Sequence, residues 1–226
     1  VDARSLKNNV GHKGDWVTKK VQEHVHDIEL EFVEQQVQRG TGDATLVGLV
    51  GIPEDEDDSD VLVMPGDAPL LRASTIAALV EHHRSTGAAA TLLTAVMDDP
   101  TGYGRVVRGR EGRVVRVTEH RDASPEELEI DEVNTSIYCF RRNLLAPALR
   151  RIEPDNDQGE YYLTDVIEVL ASAGHPVEAM VAEDPAETQG INDRLQLAAA
   201  EAELRRRTNE ALLRSGVTIV DPAAVH

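Results

Sequence analysis

DVLVMPGD, residues 60–67, decides the fold. Val61, Leu62, Val63 and Met64 follow one another with no polar alternation. An unbroken apolar run of this length suits a strand covered on both faces, as in the interior of a parallel sheet. Gly66 then lets the backbone turn sharply, and Pro69 stiffens the exit. In open α/β sheets, ligands collect beyond the carboxyl ends of the strands. Asp67 stands at such an end. A carboxylate there is well placed to hold Mg²⁺, a hard cation that takes oxygen ligands. An aspartate serving only to cap a turn or helix is the alternative, and the residues alone leave both readings open.

Downstream of this stretch, strand and helix signals alternate. Ser74 or Thr75 is read as the cap of a helix carrying Ile76, Leu79 and Val80, closed by Gly87. AAATLLTAVM (88–97) is a second buried strand, and DDPTGYG (98–104) is a turn-rich loop. GRVVRGREGRVVRVTE (104–119) reads as a hairpin around Gly109 to Gly112. VNTSIYCF (133–140) is another strand, and LLAPALRRI (144–152) a short helix with Pro147 near its start. GEYYLTDVIEVLASAG (159–174) is amphipathic at helical spacing through Leu163, Val166, Ile167 and Leu170. PVEAMVA (176–182) is a strand, residues 192–216 form a long helix capped by Asn192, and GVTIVDPAAVH (216–226) gives a short strand and a turn.

Upstream, VDARSLKNNVGHKGDWV (1–17) is irregular, WVTKKVQEHV (16–25) is helical and IELEFV (28–33) alternates like a strand. GTGDATLVGLVGI (40–52) turns helical after its glycines. PEDEDDSD (53–60) holds six acids in seven residues after its proline. It is a solvated loop rather than a metal site, because adjacent acids point in divergent directions. The alternation predicts an α/β fold, doubly wound around a mainly parallel sheet with right-handed crossovers, and the 104–119 hairpin as an inserted antiparallel piece.

The chain has 226 residues, enough for one large domain. Aromatics are 3% against 41% hydrophobic residues, so the core is built from Val, Leu, Ile and Ala. The net charge of −18 repels phosphate backbones and anionic membranes, which argues against nucleic-acid and membrane partners. A polyanionic substrate then needs a metal or a local basic pocket to offset the repulsion. A single cysteine, Cys139, no signal peptide in the polar opening and no apolar stretch of membrane length together predict a cytoplasmic protein.

Two further groups of residues carry possible chemistry. In EQQVQRGTGDA (34–44), Gly40-Thr41-Gly42 opens a helix whose free N–H groups can meet a nucleotide, and the Gln35 amide can read a base; a plain glycine turn explains the same residues. Gly104, Glu119 and Asn134 are spread over the hairpin and the next strand, where Glu and Asn can hold sugar hydroxyls. The histidines show no metal-ligand spacing, and the adjacent pair His82-His83 faces apart on its helix. No Ser-His-Asp order and no G-x-S-x-G is present.

The ordered set QQVQRGTGDA, VLVMPGDAPLL, DDPTGYGRVVR, VTEHRDASPEE, EVNTSIYCF, NDQGEYYLTDVI and QGINDRLQL resembles a family of bacterial bifunctional enzymes. These are the N-acetylglucosamine-1-phosphate uridyltransferases and glucosamine-1-phosphate acetyltransferases, and the likeness runs from about Gly11 to the C-terminus. The combination of DPTGYGR, E-x-N-T-x-I-Y and QGEYYLTD is its most specific part.

The resemblance implies a nucleotidyltransferase that forms UDP-N-acetylglucosamine and pyrophosphate from UTP and N-acetylglucosamine 1-phosphate. It implies uridine contacts from Gln35, Gly40, Thr41 and Gly66, and sugar contacts from Gly104, Glu119, Asn134 and Asn192. Asp67 and Asn192 would be the Mg²⁺ ligands. Pro65 stands where the family has tyrosine, so a contact from that ring is lost.

The family's opening strand and G-x-G-T-R-M loop have no counterpart before Gly40, and its C-terminal left-handed β-helix, which makes the homotrimer, has none after GVTIVDPAAVH. The expectation is a fold truncated at both ends: a partial uridyltransferase domain over 1–191, a linker helix over 192–215 and the start of a β-helix domain over 216–226. The chain by itself is expected to be inactive. The alternatives are a non-catalytic fragment, or a nucleotidyltransferase for another sugar 1-phosphate.

Overall fold

The computed structural model describes residues 5–10, 14–26, 28–35, 37–50 and 59–225; most of the acidic run at 53–58 lies outside them. In chain order the elements are β1 (Ser5–Val10), α1 (Gly14–His24), β2 (Glu29–Glu34), α2 (Thr41–Val50), β3 (Asp60–Val63), α3 (Ala73–Thr86), β4 (Ala90–Val96) and β5 (Arg105–Arg108). They continue with β6 (Val114–Thr118), α4 (Pro125–Leu128), β7 (Glu132–Arg141), α5 (Arg142–Leu149), α6 (Asp165–Ser172), β8 (Val177–Val181) and α7 (Arg194–Arg214).

Successive side chains of a strand point to opposite faces, and β4 and β7 use this to build two cores. Leu93, Ile137 and Cys139 face Leu79 and Val80 of α3. Leu92, Tyr138 and Phe140 face Leu145 and Leu149 of α5 and Val166, Ile167 and Leu170 of α6. The Tyr138 and Phe140 rings stack with centroids 5.4 Å apart. Helices therefore cover both faces of the sheet. Leu79, Leu92, Leu93, Ile137, Phe140 and Ile167 are fully buried. Each such side chain contributes ~1.5–3 kcal/mol of transfer free energy.

The six-stranded sheet has the order β6-β5-β7-β4-β8, with β3 also paired to β7. β4 and β8 are parallel, while β7 runs antiparallel to β3, β4 and β5. Four strands, β3, β4, β5 and β8, thus share one direction, and β7 is threaded between them in reverse. The ladders are consequently more antiparallel than the strand directions alone suggest. β1 and β2 form a separate parallel pair. β5 and β6 form the expected hairpin, closed by the Gly109 amide donating to the Arg113 carbonyl.

Several local expectations are corrected. SLKNNV is a strand, although its sequence is polar, because it pairs along its whole length with β2. Residues 159–164 are not helical; α6 begins at Asp165. The backbone of Tyr161 instead donates to Arg39 and accepts from Gly42. Pro147 lies well inside α5, and the cap of α7 is Asp193, whose carboxylate accepts from the Gln196 amide. Residues 217–220 form no strand. Neither Ser74 nor Thr75 caps α3: the N-cap is Arg72, whose own side chain makes no capping bond.

Candidate active site

β3 delivers Asp67 to the carboxyl ends of β3, β4 and β8. From β8 the chain passes through a 3₁₀ turn at Pro185–Thr188 and then comes back against the Asp67 turn. The Ile191 amide donates to the Asp67 carbonyl at 2.9 Å. Gly190 is pressed so close that a Cβ there would stand 3.2 Å from Asp67 Oδ2. Asn192 follows two residues later and is exposed, as is Asp67. Among the described residues, no hydrogen bond engages the Asp67 carboxylate or the Asn192 side chain. The first two site residues expected to act together are thus brought onto two bonded turns. Their donor set, a carboxylate and an amide carbonyl, is all hard oxygen. It fits a small divalent cation that keeps several waters and takes only one or two protein ligands. No cluster of three or more His, Cys, Asp or Glu suited to a metal exists among the described residues. Gly66 faces open space, with nothing within 4 Å of a Cβ built there.

Gly104, Glu119 and Asn134 also converge. The Asn134 amide donates to the Gly104 carbonyl at 2.8 Å. A Cβ on Gly104 would meet Val117 tightly, at 3.1 Å, and Glu119 Oε2 at the contact distance of 3.4 Å, which brings the glycine and Glu119 side by side. A bulge aims Asn134. The β4–β7 register jumps from Leu93↔Ile137 to Thr94↔Asn134, and Ser136 takes a left-handed φ of 61°. Bulges of this kind re-aim side chains beside active sites. Asn134 Nδ2 donates to the Tyr138 hydroxyl at 2.7 Å. Glu119 Oε1 accepts from the Thr164 hydroxyl at 3.0 Å.

Glu119 shares this rim with other acids. Burial pushes its carboxyl up, the Thr164 hydroxyl pulls it down, and Asp122 adds a further upward push. Asp165 is pushed up to about 6, first by burial and then by Glu119, Glu168 and Asp122. The Tyr162 hydroxyl is buried beside them, with no hydrogen-bond partner among the described residues. The rim can therefore accept and donate hydrogen bonds. The sequence marks Tyr162, Thr164 and Asp165 only as part of QGEYYLTD, with no site role, because the apolar spacing of that stretch reads as helix.

The third group is wired internally. Gln35 Nε2 donates to Asp43 Oδ2 at 2.7 Å, and the Thr41 hydroxyl accepts from the Leu163 amide at 3.0 Å. Gly40 has a left-handed φ of 107°, and a Cβ there would lie 2.5 Å from the Tyr161 carbonyl. Gly40 and Thr41 are therefore held against residues 161–163, and Gln35 is tied to Asp43 in the helix that Thr41 begins. Thr164 of the same segment bonds Glu119, which links this group to the acidic rim.

A separate cleft of about 220 Å³ lies at the opposite end of β3, lined by Ser59, Asp60, His83, Arg84, Arg141 and Asn143. It is far from the converging residues, and an ion pair between Arg84 and Asp60 at 2.7 Å occupies its wall.

Residues 7–186 match the family model described as nucleotidyl transferase. The chain belongs to the nucleotidyl transferase family. Among curated nucleotidyl transferase relatives it is similar to the bifunctional protein GlmU of Exiguobacterium sibiricum, 44% identical over 217 residues that cover 96% of this chain and 47% of that protein. The corresponding protein of Corynebacterium efficiens is 44% identical over 216 residues, 95% of this chain and 44% of its own length. That of Pelotomaculum thermopropionicum is 56% identical over 164 residues, 73% of this chain and 36% of its own length. The chain spans about half, or less, of the length of these relatives. A solved structure of UDP-glucose pyrophosphorylase complexed with UDP-glucose shares the fold, with a TM-score of 0.66 and 11% identity over 90% of this chain and 81% of that one.

Proposed function

We propose that this chain carries the uridyltransferase machinery that joins UTP to N-acetylglucosamine 1-phosphate. An oxygen of the sugar phosphate attacks the α-phosphorus of UTP, the bond to the β-phosphate breaks, and pyrophosphate leaves with UDP-N-acetylglucosamine as the other product. The observation that carries the reading is the Asp67 turn bonded to the Gly190–Asn192 turn, with both oxygen donors unengaged at the mouth of the sheet. The likeness to bifunctional GlmU proteins and to a UDP-sugar pyrophosphorylase supports it.

Asp67 and Asn192 would hold Mg²⁺, which supplies positive charge against the phosphates when bound. Such help is needed in a chain of net charge −18 that takes two anionic substrates. Gly104, Glu119, Asn134 and Asn192 would receive the acetylated sugar. Gln35, Gly40, Thr41 and Gly66 would border the uridine. No side chain is required as a nucleophile; positioning and electrostatics do the chemistry. The product would feed cell-wall precursor synthesis in the cytoplasm. Among the described residues, no helix is long and apolar enough to cross a membrane.

The test is calorimetric binding of UDP-N-acetylglucosamine with and without Mg²⁺, against UDP-glucose as competitor. Metal-dependent binding that prefers the acetylated sugar, and that is lost in Asn134→Ala, supports the reading. Equal binding of both sugars points to a nucleotidyltransferase for another sugar 1-phosphate. Binding that ignores the metal overturns the assignment of Asp67 and Asn192.

A further inference from the structure

The helix that follows the Asp67 turn begins without a cap of its own, and the group that completes it comes from far along the chain. Glu187 is 3% exposed. Its Oε2 accepts from the Arg72 amide at 3.3 Å and from the Thr75 hydroxyl at 2.5 Å. Its Oε1 pairs with Arg72 Nη1 at 3.1 Å. Negative charge at a helix N-terminus is stabilised by the unpaired N–H groups and the helix dipole. The Arg72 guanidinium also pairs with Asp184 at 3.3 Å, and Arg207 of α7 donates to the Leu70 carbonyl at 2.7 Å. Every one of these contacts joins the turn that carries Asp67, or the helix after it, to the 184–193 turn that carries Asn192 or to α7 beyond it. A buried carboxylate costs several kcal/mol unless it is paired and hydrogen-bonded. Here the pairing falls between the two turns rather than within either.

The geometry points to Glu187 as a positioning residue for the Asp67–Asn192 pair, with Gly190 as the spacer that leaves room for the Asp67 carboxylate. Glu187 touches no substrate. It fixes the gap between the two turns by clamping Arg72 and Thr75, five and eight residues after Asp67, from a position five residues before Asn192. This inference rests on the metal reading above and adds two residues to it. Partners that orient metal ligands from outside the coordination shell typically change metal affinity by roughly 10–100-fold when removed.

The experiment is a Mn²⁺ titration of the intact chain, with free Mn²⁺ read by electron paramagnetic resonance well below the thermal midpoint, alongside the midpoint itself. Glu187→Gln and Gly190→Ala are expected to weaken Mn²⁺ binding by roughly ten-fold or more. Arg84→Ala, which breaks the Asp60 ion pair at the far end of the sheet, is the stability control and is expected to leave Mn²⁺ affinity unchanged. Should Glu187→Gln fail to fold, Thr75→Val removes one donor only and is expected to weaken binding about two- to three-fold, within the net worth of one hydrogen bond. If Asp67→Asn abolishes Mn²⁺ binding while Glu187→Gln and Gly190→Ala bind like wild type, Glu187 is only a helix cap and the inference falls. If Asp67→Asn also binds like wild type, or wild type binds no Mn²⁺, the metal reading itself falls and takes the inference with it.

Discussion

Asp60 and Asp67 bracket the same strand and have opposite fates. Asp60 starts β3 at the base of the sheet, where Arg84 Nε donates to one oxygen at 2.7 Å and the buried His83 ring faces the other at 3.6 Å. Asp67 follows β3 at the mouth, where a glycine stands back from its carboxylate and no donor takes it up. One acid is consumed by the fold; the other is left available. The contrast teaches that residue type and strand position do not separate a structural acid from a functional one. The supply of donors around it does.

The largest expected effect sharpens that contrast at the mouth. Asp67→Asn is expected to lower metal-dependent ligand binding by roughly 100-fold or more, with stability within about 0.5 kcal/mol of wild type. Calorimetric binding and chemical denaturation on the same preparations check both halves. Asp60→Ala should do the reverse. It removes the partner of the largely exposed Arg84 guanidinium and the carboxylate facing the His83 ring, and is expected to cost about 1 kcal/mol with ligand binding intact. A destabilising Asp67→Asn or a silent Asp60→Ala would break the comparison.

A smaller effect separates the rim acids from Asp67. The folded chain raises Asp165 to about 6, so between its ordinary value and that point the folded state binds more protons than the unfolded chain. Asp165 therefore lowers stability fully above about pH 6, and the loss fades as pH falls toward the ordinary aspartate value of 3.8. Asp165→Asn is expected to gain about 1 kcal/mol at pH 7 and almost nothing at pH 4, with urea midpoints at the two pH values as the measurement. The smallest effect is at His83, where burial holds the ring below its ordinary value despite Asp60. Its contribution is present above pH 6.5 and declines as pH falls below it; His83→Gln is expected to flatten that slope in the same urea series.

The sequence yielded those parts of the molecule that local pattern controls. The hairpin glycines and the helical spacing of α3 appear in the structure as read; the apolar run before Pro65 is a strand, but it is half-buried and runs antiparallel to β7 rather than inside a parallel sheet. The convergence of Gly104, Glu119 and Asn134 was legible only through resemblance, since fourteen or more residues separate each from the next and a bulge completes the approach. Residues 159–164 misled because their apolar spacing mimics a helix, whereas their backbone bonds go to Arg39 and Gly42 across the molecule. The cap of α3 was invisible for the same reason. Ser74 and Thr75 offered a plausible local cap, and the group that serves lies 112 residues from Thr75. No pattern within a window of the sequence carries such a partner.

β3 has one further consequence. Among the described residues it pairs with β7 alone, whereas β4 is flanked on both sides. Alternate amides of Val61, Leu62 and Val63 therefore face outward without a ladder partner, while those of Leu92 and Leu93 are enclosed. Deuterium uptake should reach the outward amides of β3 through local fluctuation and those of β4 only when the whole sheet opens. The strand that leads to Asp67 is thus stitched along a single seam, and the turn beyond it is held from the other side by the Ile191 and Glu187 bonds.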